Sequence, residues 1–280
     1  MIPQRNISLL SNRLAKTGGR RIPEAVLERD YCLAWFLVGL SRSPLRDVLA
    51  FKGGTALKRC YFGNYRFSED LDFTLARATS LETILAELEK IFVDVKKASG
   101  VITRYSREDR KPHQNCHSFY LAYEGPLPGT MVKEVKVDIT INERLVLPLQ
   151  ERLVLKGYEE YEDLPDDAAV LVYSLEEILS EKVVALTDRA RNEPRDLYDV
   201  WYLTERENID VSTLIPGIAG KFEFRGRGLE SMGEEFGKKE ARLKKLWLMR
   251  LANQMGDLPH FEEVYRAVHR SFRGAGLMGA

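Results

Sequence analysis

The sequence predicts an α/β fold, in which a mixed-sheet N-terminal domain is followed by a mostly helical C-terminal one. Three observations carry this. DLDFTL at residues 70–75 and EVKVDITIN at 134–142 alternate polar and apolar residues, the period of a strand with one buried face. Residues 81–97 place apolar residues at helical spacing, and Pro23-Glu24 open a helix around the apolar run 31–40, so helices are interleaved with those strands. Beyond residue 150, Ser174-x-x-Glu177 is a capping box before the run LEEILSEKVVAL, and the later apolar patterns are helical too.

In chain order, Pro23 and Glu24 open a helix that runs to about residue 40, because proline suits a first helical turn. Ser43-Pro44 breaks it, and a short helix or turn leads to Phe51. Gly53-Gly54 make a flexible turn, and residues 55–61 form the first turns of another helix. The strand 70–75 and the helix 81–97 follow. Residues 100–107 and 118–123 pair as a hairpin around the basic loop SREDRKPHQNC, and 134–142 is the clearest strand in the chain. The first domain ends near residue 150, and an acidic connector, YEEYEDLPDDA, leads out of it. In the second half Pro194 starts a helix after the capped one. Residues 216–238 read as a Gly-rich, charged loop with a short helix, and 241–255 and 261–272 as two amphipathic helices.

The totals narrow the function. The 42 basic and 42 acidic residues of this 280-residue chain cancel, so no global field draws it to nucleic acid or membrane, and any nucleic-acid surface must be local. Three scattered cysteines fit a reducing cytoplasm without a disulfide framework. The most hydrophobic run, residues 31–40, is too short to span a bilayer and reads as a buried helix. No secretory signal is evident at the start.

The chemistry concentrates around FKGGTALKRCYFGNYRFSEDLDFTL. In a strand, Asp70, Asp72 and Thr74 share one face, and Leu71, Phe73 and Leu75 the other. The two aspartates are roughly 6–7 Å apart along the strand, so their carboxylates can converge on one or two divalent cations. In EVKVDITIN, Val135, Val137, Ile139 and Ile141 point to the core, and Lys136, Asp138 and Thr140 the other way. If the two strands are neighbours, three aspartates meet on one sheet face, a cluster suited to magnesium and its bridging of nucleotide phosphates. A Gly-Gly turn at a helix start offers backbone N–H groups to phosphate. A glycine pair is usually a plain turn, and an isolated D-x-D more often a solvated strand face. The ordered set is far more specific than either part.

That set resembles the nucleotidyltransferase superfamily with a polymerase-beta-like core, and more narrowly the abortive-infection toxin family AbiEii/AbiGii. The motifs are KGGTAL at 52–57, RFSEDLDF at 66–73, VKVDI at 135–139, LEEILSEKVVAL at 175–186 and RDLYD at 195–199. The resemblance spans about residues 20–270. It implies a nucleotidyltransferase α/β domain over 1–150 and a helical domain over 151–280 that completes a nucleotide and acceptor cleft. It implies transfer of a nucleoside monophosphate from an NTP, with Mg2+ as a two-metal site, onto an RNA acceptor such as a tRNA 3′ end, blocking translation. A separately encoded antitoxin in a type IV system is implied as well. Asp70 and Asp72 carry over as metal ligands, with Asp138 as third ligand or base. Gly53, Gly54 and Ser68 carry over as phosphate contacts, and Lys52 and Thr55 belong to the same nucleotide-binding motif.

In the second half, Leu175, Ile178, Leu179, Val183 and Leu186 form an apolar stripe onto which the stem of Lys182 falls, with Arg189 a heptad later. A lysine turned inward needs an anionic partner. Spacing alone leaves a pairing with Asp196 or Asp199 open, while the resemblance assigns Lys182, with Arg189, to the triphosphate. Relatives carry a functional aspartate in R-D-x-x-D, which leaves both Asp196 and Asp199 as candidates. His113, Cys116 and His117 have a superficial metal-ligand look that a hairpin loop explains. Residues 221–250 hold nine basic residues against five acidic, interleaved with Phe222, Phe224 and Trp247. They offer either an RNA grip or a solvated helix face. A small-molecule or protein acceptor, and a non-catalytic nucleotide-binding module, are the rival readings.

Overall fold

The computed structural model describes residues 1–18, 20–111, 114–129 and 131–278. The chain divides into two compact units. The first is built from Met1–Glu143, Leu149–Tyr173 and Asn253–Gly256, and the second from Arg144–Pro148, Ser174–Ala252 and the chain from Asp257 onward.

The first unit contains α1 (Gln4–Gly18), α2 (Glu24–Ser41), β1 (Leu49–Lys52), α3 (Gly53–Ala56), β2 (Leu71–Leu75) and α4 (Leu81–Ser99). It continues with β3 (Ile102–Glu108), β4 (Cys116–Glu124), β5 (Lys133–Thr140), β6 (Gln150–Leu153) and β7 (Ala169–Val172). Among the described residues these strands form one seven-stranded sheet in the order β3-β4-β5-β2-β1-β7-β6. It is mixed, because β2 runs parallel to β5 and β1 parallel to β7, while the other neighbours are antiparallel.

The alternation read from the sequence sorts the two sheet faces. Leu71, Phe73, Val135, Val137, Ile139, Phe119 and Leu121 are buried. Ile141, expected inward, is 38% exposed, because β5 ends at Thr140 and the strand phase ends with it. Almost the whole of α2 from Tyr31 onward is buried, and it packs on α4. The latter offers Ile84, Leu88, Ile91 and Val95 at helical spacing. Ser80 caps α4 by accepting from the Thr83 N–H at 3.1 Å, and Gly100 ends it in the left-handed region at φ 79°.

The acidic stretch after residue 150 is more than a connector. Tyr158, Tyr161 and Leu164 are buried, and the Tyr161 hydroxyl donates to the Leu27 carbonyl at 2.8 Å. Aromatic side chains anchor a segment whose charges alone would leave it solvated. Beneath them lies Lys58, whose Nζ donates to the Gly63 carbonyl and the Tyr158 hydroxyl at 2.7 Å each, between the rings of Phe67 and Tyr158. Burial lowers its ammonium from the ordinary 10.5 to about 7.

The second unit contains α5 (Leu175–Leu186), α6 (Pro194–Trp201), α7 (Ile215–Phe224), α8 (Met232–Gly237), α9 (Glu240–Leu251) and α10 (Phe261–Gly274). Helix α5 packs on α6 and α7, and α6 on α9 and α10. Ser174 caps α5 through the Glu177 N–H at 3.1 Å. Glu177 does not close the box in return, because its carboxylate takes the Lys221 ammonium at 2.7 Å and the Leu147 N–H at 2.9 Å. Residues 216–238, expected as a loop with one short helix, carry two helices, α7 and α8. Ile218, Phe222, Met232 and Phe236 bury at helical spacing and outweigh the glycines. No helix among the described residues is long and apolar enough to cross a membrane.

Candidate active site

Strand register builds the candidate site in the first unit. Lys52 lies opposite Asp72, Asp72 beside Asp138, and Asp138 opposite Ser118. Cross-strand partners share a sheet face, so one polar row runs Lys52–Asp72–Asp138–Ser118 across β1, β2, β5 and β4. A parallel row, Ala50–Thr74–Thr140–Cys116, lies two residues along on the same face. Ser118 Oγ donates to Asp138 Oδ1 at 2.5 Å, and Lys136 Nζ bridges Asp138 at 3.0 Å and Asp109 at 3.1 Å. Burial by itself would lower the Lys136 ammonium, but these two carboxylates hold it well above its usual value. Lys52 Nζ donates to Thr140 Oγ1 at 3.1 Å and lies 5.5 Å from the centre of the Tyr173 ring. The Tyr173 hydroxyl and Thr74 Oγ1 share a hydrogen bond of 2.6 Å.

The glycines are placed by contact as well as by conformation. Gly53 has φ +76°, and a Cβ built there would lie 2.6 Å from Asp72 Oδ2. The Asp72 carboxylate thus lies directly against the glycine turn. A Cβ at Gly54 would lie 2.4 Å from Arg66 Nη2. Arg66 is buried, and its Nη1 donates to the Phe67 carbonyl and to Gln254 Oε1 at 3.2 Å each. Thr55 Oγ1 donates to the Asp70 carbonyl at 2.5 Å, tying the start of α3 to the entry of β2. Ser68 is buried in the stretch before β2, and Asp70 immediately precedes that strand.

Asp72 and Asp138 are hard oxygen donors on adjacent strands. Among the described residues no three His, Cys, Asp or Glu side chains form a ready-made metal site. Two adjacent carboxylates still fit magnesium, which is commonly held by one or two carboxylates with water and substrate phosphates filling its octahedron. Cys116 Sγ lies 3.9 Å from Asp138 Oδ1, and burial raises its thiol. His117 pairs with Ile139 and so lies on the other face, while His113 lies outside the described residues.

In the second unit, Lys182 Nζ lies 2.6 Å from Asp196 Oδ1 and 2.8 Å from Asp199 Oδ2, so the R-D-x-x-D motif supplies two partners rather than one. Burial opposes ionisation of Asp196, but Lys182 and then Arg191 outweigh it and hold the carboxyl far below its usual range. Arg189 pairs with Glu235 at 2.8 Å. The basic segment does not form one continuous grip. Lys221 is buried on Glu177, Lys239 donates to the carbonyls of Asp188 and Arg191, and Phe222 and Trp247 are core residues.

Sequence alone pointed to the aspartates and the glycines and placed Lys136 and Thr140 on the face of Asp138, but it gave no role to Ser118, Arg66 or Tyr173. Their roles depend on which strands are neighbours and in what register, for which local pattern carries no signal.

The family described as the nucleotidyl transferase AbiEii toxin of type IV toxin–antitoxin systems matches residues 35–267. No curated protein matches the sequence. The fold is similar to that of MenT4, a nucleotidyltransferase toxin from Mycobacterium tuberculosis H37Rv. The TM-score is 0.55 at 19% identity, over 94% of this chain and 98% of that one.

Proposed function

The chain belongs to the AbiEii family of nucleotidyltransferase toxins of type IV toxin–antitoxin systems, and from there we propose that it transfers a nucleoside monophosphate from an NTP to an RNA acceptor, a tRNA 3′ end above all. The observation that carries this is the row Lys52–Asp72–Asp138–Ser118, set against the Gly53 turn on one sheet face.

In this reading Asp72 and Asp138, with Asp70 at the entry of β2, would hold magnesium, which when bound would supply charge neutralisation at the phosphates and acidity at the attacking hydroxyl. The Gly53–Gly54 turn presents the backbone N–H groups that open α3 to the phosphates, and Lys52, Thr55 and Ser68 border them. Ser118 and Lys136 fix the Asp138 carboxylate by a short hydrogen bond and an ion pair. Asp138 is then positioned as a ligand or as the acceptor of the hydroxyl proton. The acceptor oxygen bonds to the α-phosphorus, the bond to the bridging oxygen breaks, and pyrophosphate leaves. Positioning and charge neutralisation do most of the work. In the second unit Lys182, Arg189, Asp196 and Asp199 are the candidates for nucleotide handling. A separately encoded antitoxin is expected to oppose the activity.

Incubating the protein with labelled NTPs, magnesium and total cellular RNA tests the reading, with Asp72→Asn as control. Label in RNA that depends on Asp72 supports it. Label in protein or in a small molecule moves the acceptor to another class, and no label removes the enzymatic reading of this site.

A further inference from the structure

We propose that Arg107 and Tyr120 form a stacking platform for a nucleobase of a single-stranded RNA acceptor beside Asp138, a reading that rests on the RNA-directed transfer above. Strands β3 and β4 pair in one register from Ile102↔Glu124 to Tyr105↔Leu121, then shift by one residue so that Arg107 pairs with Tyr120. The extra residue is a bulge, a device that re-aims side chains at sheet edges and beside active sites. In the unshifted register Arg107 would share the face of Tyr105, whose ring packs 5.8 Å from that of Phe119. The bulge moves it to the face of the aspartates, since Tyr120 pairs with Lys136 and Ser118 with Asp138.

There the Arg107 guanidinium lies 3.7 Å from the centre of the Tyr120 ring. Glu134 fixes it, accepting from Nη2 at 2.8 Å and Nε at 3.2 Å, and Ser106 Oγ steadies Glu134 at 2.6 Å. The arginine side chain remains 45% exposed, so a flat group is held rigidly and still open to solvent. Tyr120 is a diagonal neighbour of Asp138, roughly 7–8 Å away, within reach of the nucleotide whose hydroxyl is placed there. Unstacked RNA bases settle on aromatic rings and guanidinium planes, and this needs no base-specific contact. Arg104 on this edge pairs with Glu124 at 2.8 Å as Arg107 does with Glu134, so the platform offers a flat surface rather than net charge.

The test separates a flat surface from a charge. Arg107→Lys keeps the charge and loses the plane, Tyr120→Leu removes the ring, and Tyr120→Phe restores it. The measurements are anisotropy of a labelled single-stranded oligoribonucleotide, NTP affinity by calorimetry, and melting temperature. Arg107→Lys and Tyr120→Leu should weaken RNA binding roughly 10- to 100-fold, with NTP affinity and the salt slope unchanged and Tyr120→Phe near wild type. If Tyr120→Leu unfolds, Arg107→Lys decides. RNA affinity in Arg107→Lys equal to wild type overturns the platform, and so does a parallel loss of NTP affinity, which would assign the base to the incoming nucleotide. Either result leaves the proposed function standing. A wild-type protein that places no nucleotide on RNA overturns both.

Discussion

Replacing Gly53 by alanine separates catalytic placement from backbone strain. At φ +76° an L-residue costs about 1–2 kcal/mol. In a unit of this size that lowers the melting temperature by about 2–8 °C. The new Cβ would lie 2.6 Å from Asp72 Oδ2, and real Cβ atoms essentially never approach within 3.0 Å of another heavy atom. The carboxylate must therefore move by several tenths of an ångström, and a misplacement approaching 1 Å costs on the order of 10²-fold in rate. A loss of roughly 10- to 100-fold in nucleotide incorporation is expected. Gly100→Ala is the control. It carries the same conformational cost at φ +79°, and its nearest neighbour is the Met1 Cβ at 3.5 Å, far from any carboxylate of the row. Incorporation of label into RNA and thermal melts would be measured on both. Equal activity in the two variants would refute the claim that the turn positions Asp72.

Three other outcomes follow. Asp72→Asn and Asp138→Asn should each lower transfer by at least about 10²-fold with little change in melting temperature, as expected when charge stabilisation at a partly exposed cluster is lost; near-normal transfer by either would dissolve the cluster. Lys182→Met strands two buried carboxylates and should destabilise the second unit by about 3–5 kcal/mol. The triple variant that also carries Asp196→Asn and Asp199→Asn should regain much of that stability, and recovery of NTP affinity with it would make Lys182 structural only. For Lys58, lowered to about 7, the unfolded chain binds a proton below about pH 10.5 that the folded unit refuses until about 7. Stability should therefore rise from pH 7 to 9 in wild type and stay flatter in Lys58→Met, and parallel melting curves would count against this.

What the sequence conveyed depended on the range of the interaction. Periodicity is local, so β2, β5, α4 and the face carrying Asp72 and Asp138 were legible, while Pro23 and the apolar run announced α2 and Ser174 announced α5. Strands β6 and β7 are four residues each, too short for alternation to stand out, and α1 carries no cap signal that local pattern could separate from a loose terminus. The helices over 215–237 were hidden because glycine lowers helical propensity while tertiary burial of Phe222 and Phe236 decides the outcome. The segments that hold Arg107 and Ser118 were legible as a hairpin, but a one-residue bulge sets which face Arg107 takes, and only the β3–β4 register reveals it.

The two clusters of charge in this chain differ in what surrounds them. Asp196 and Asp199 are 1% and 0% exposed, and Lys182 is 10% exposed between them. Charges that far from water must be balanced by neighbours, so the network is costly to disturb whether or not it meets a substrate. Its existence is therefore weak support for a role in binding, and the decision passes to variants that keep the balance while removing the lysine. Asp138 is 27% exposed and Lys136 30%. Water can compensate those groups when a partner leaves, so their ion pair can open at a modest cost. A cation or phosphate can enter the row Lys52–Asp72–Asp138–Ser118 without stranding a buried charge. That makes the first unit, and not the more tightly paired network of the second, the place to look for exchange of ligands during turnover.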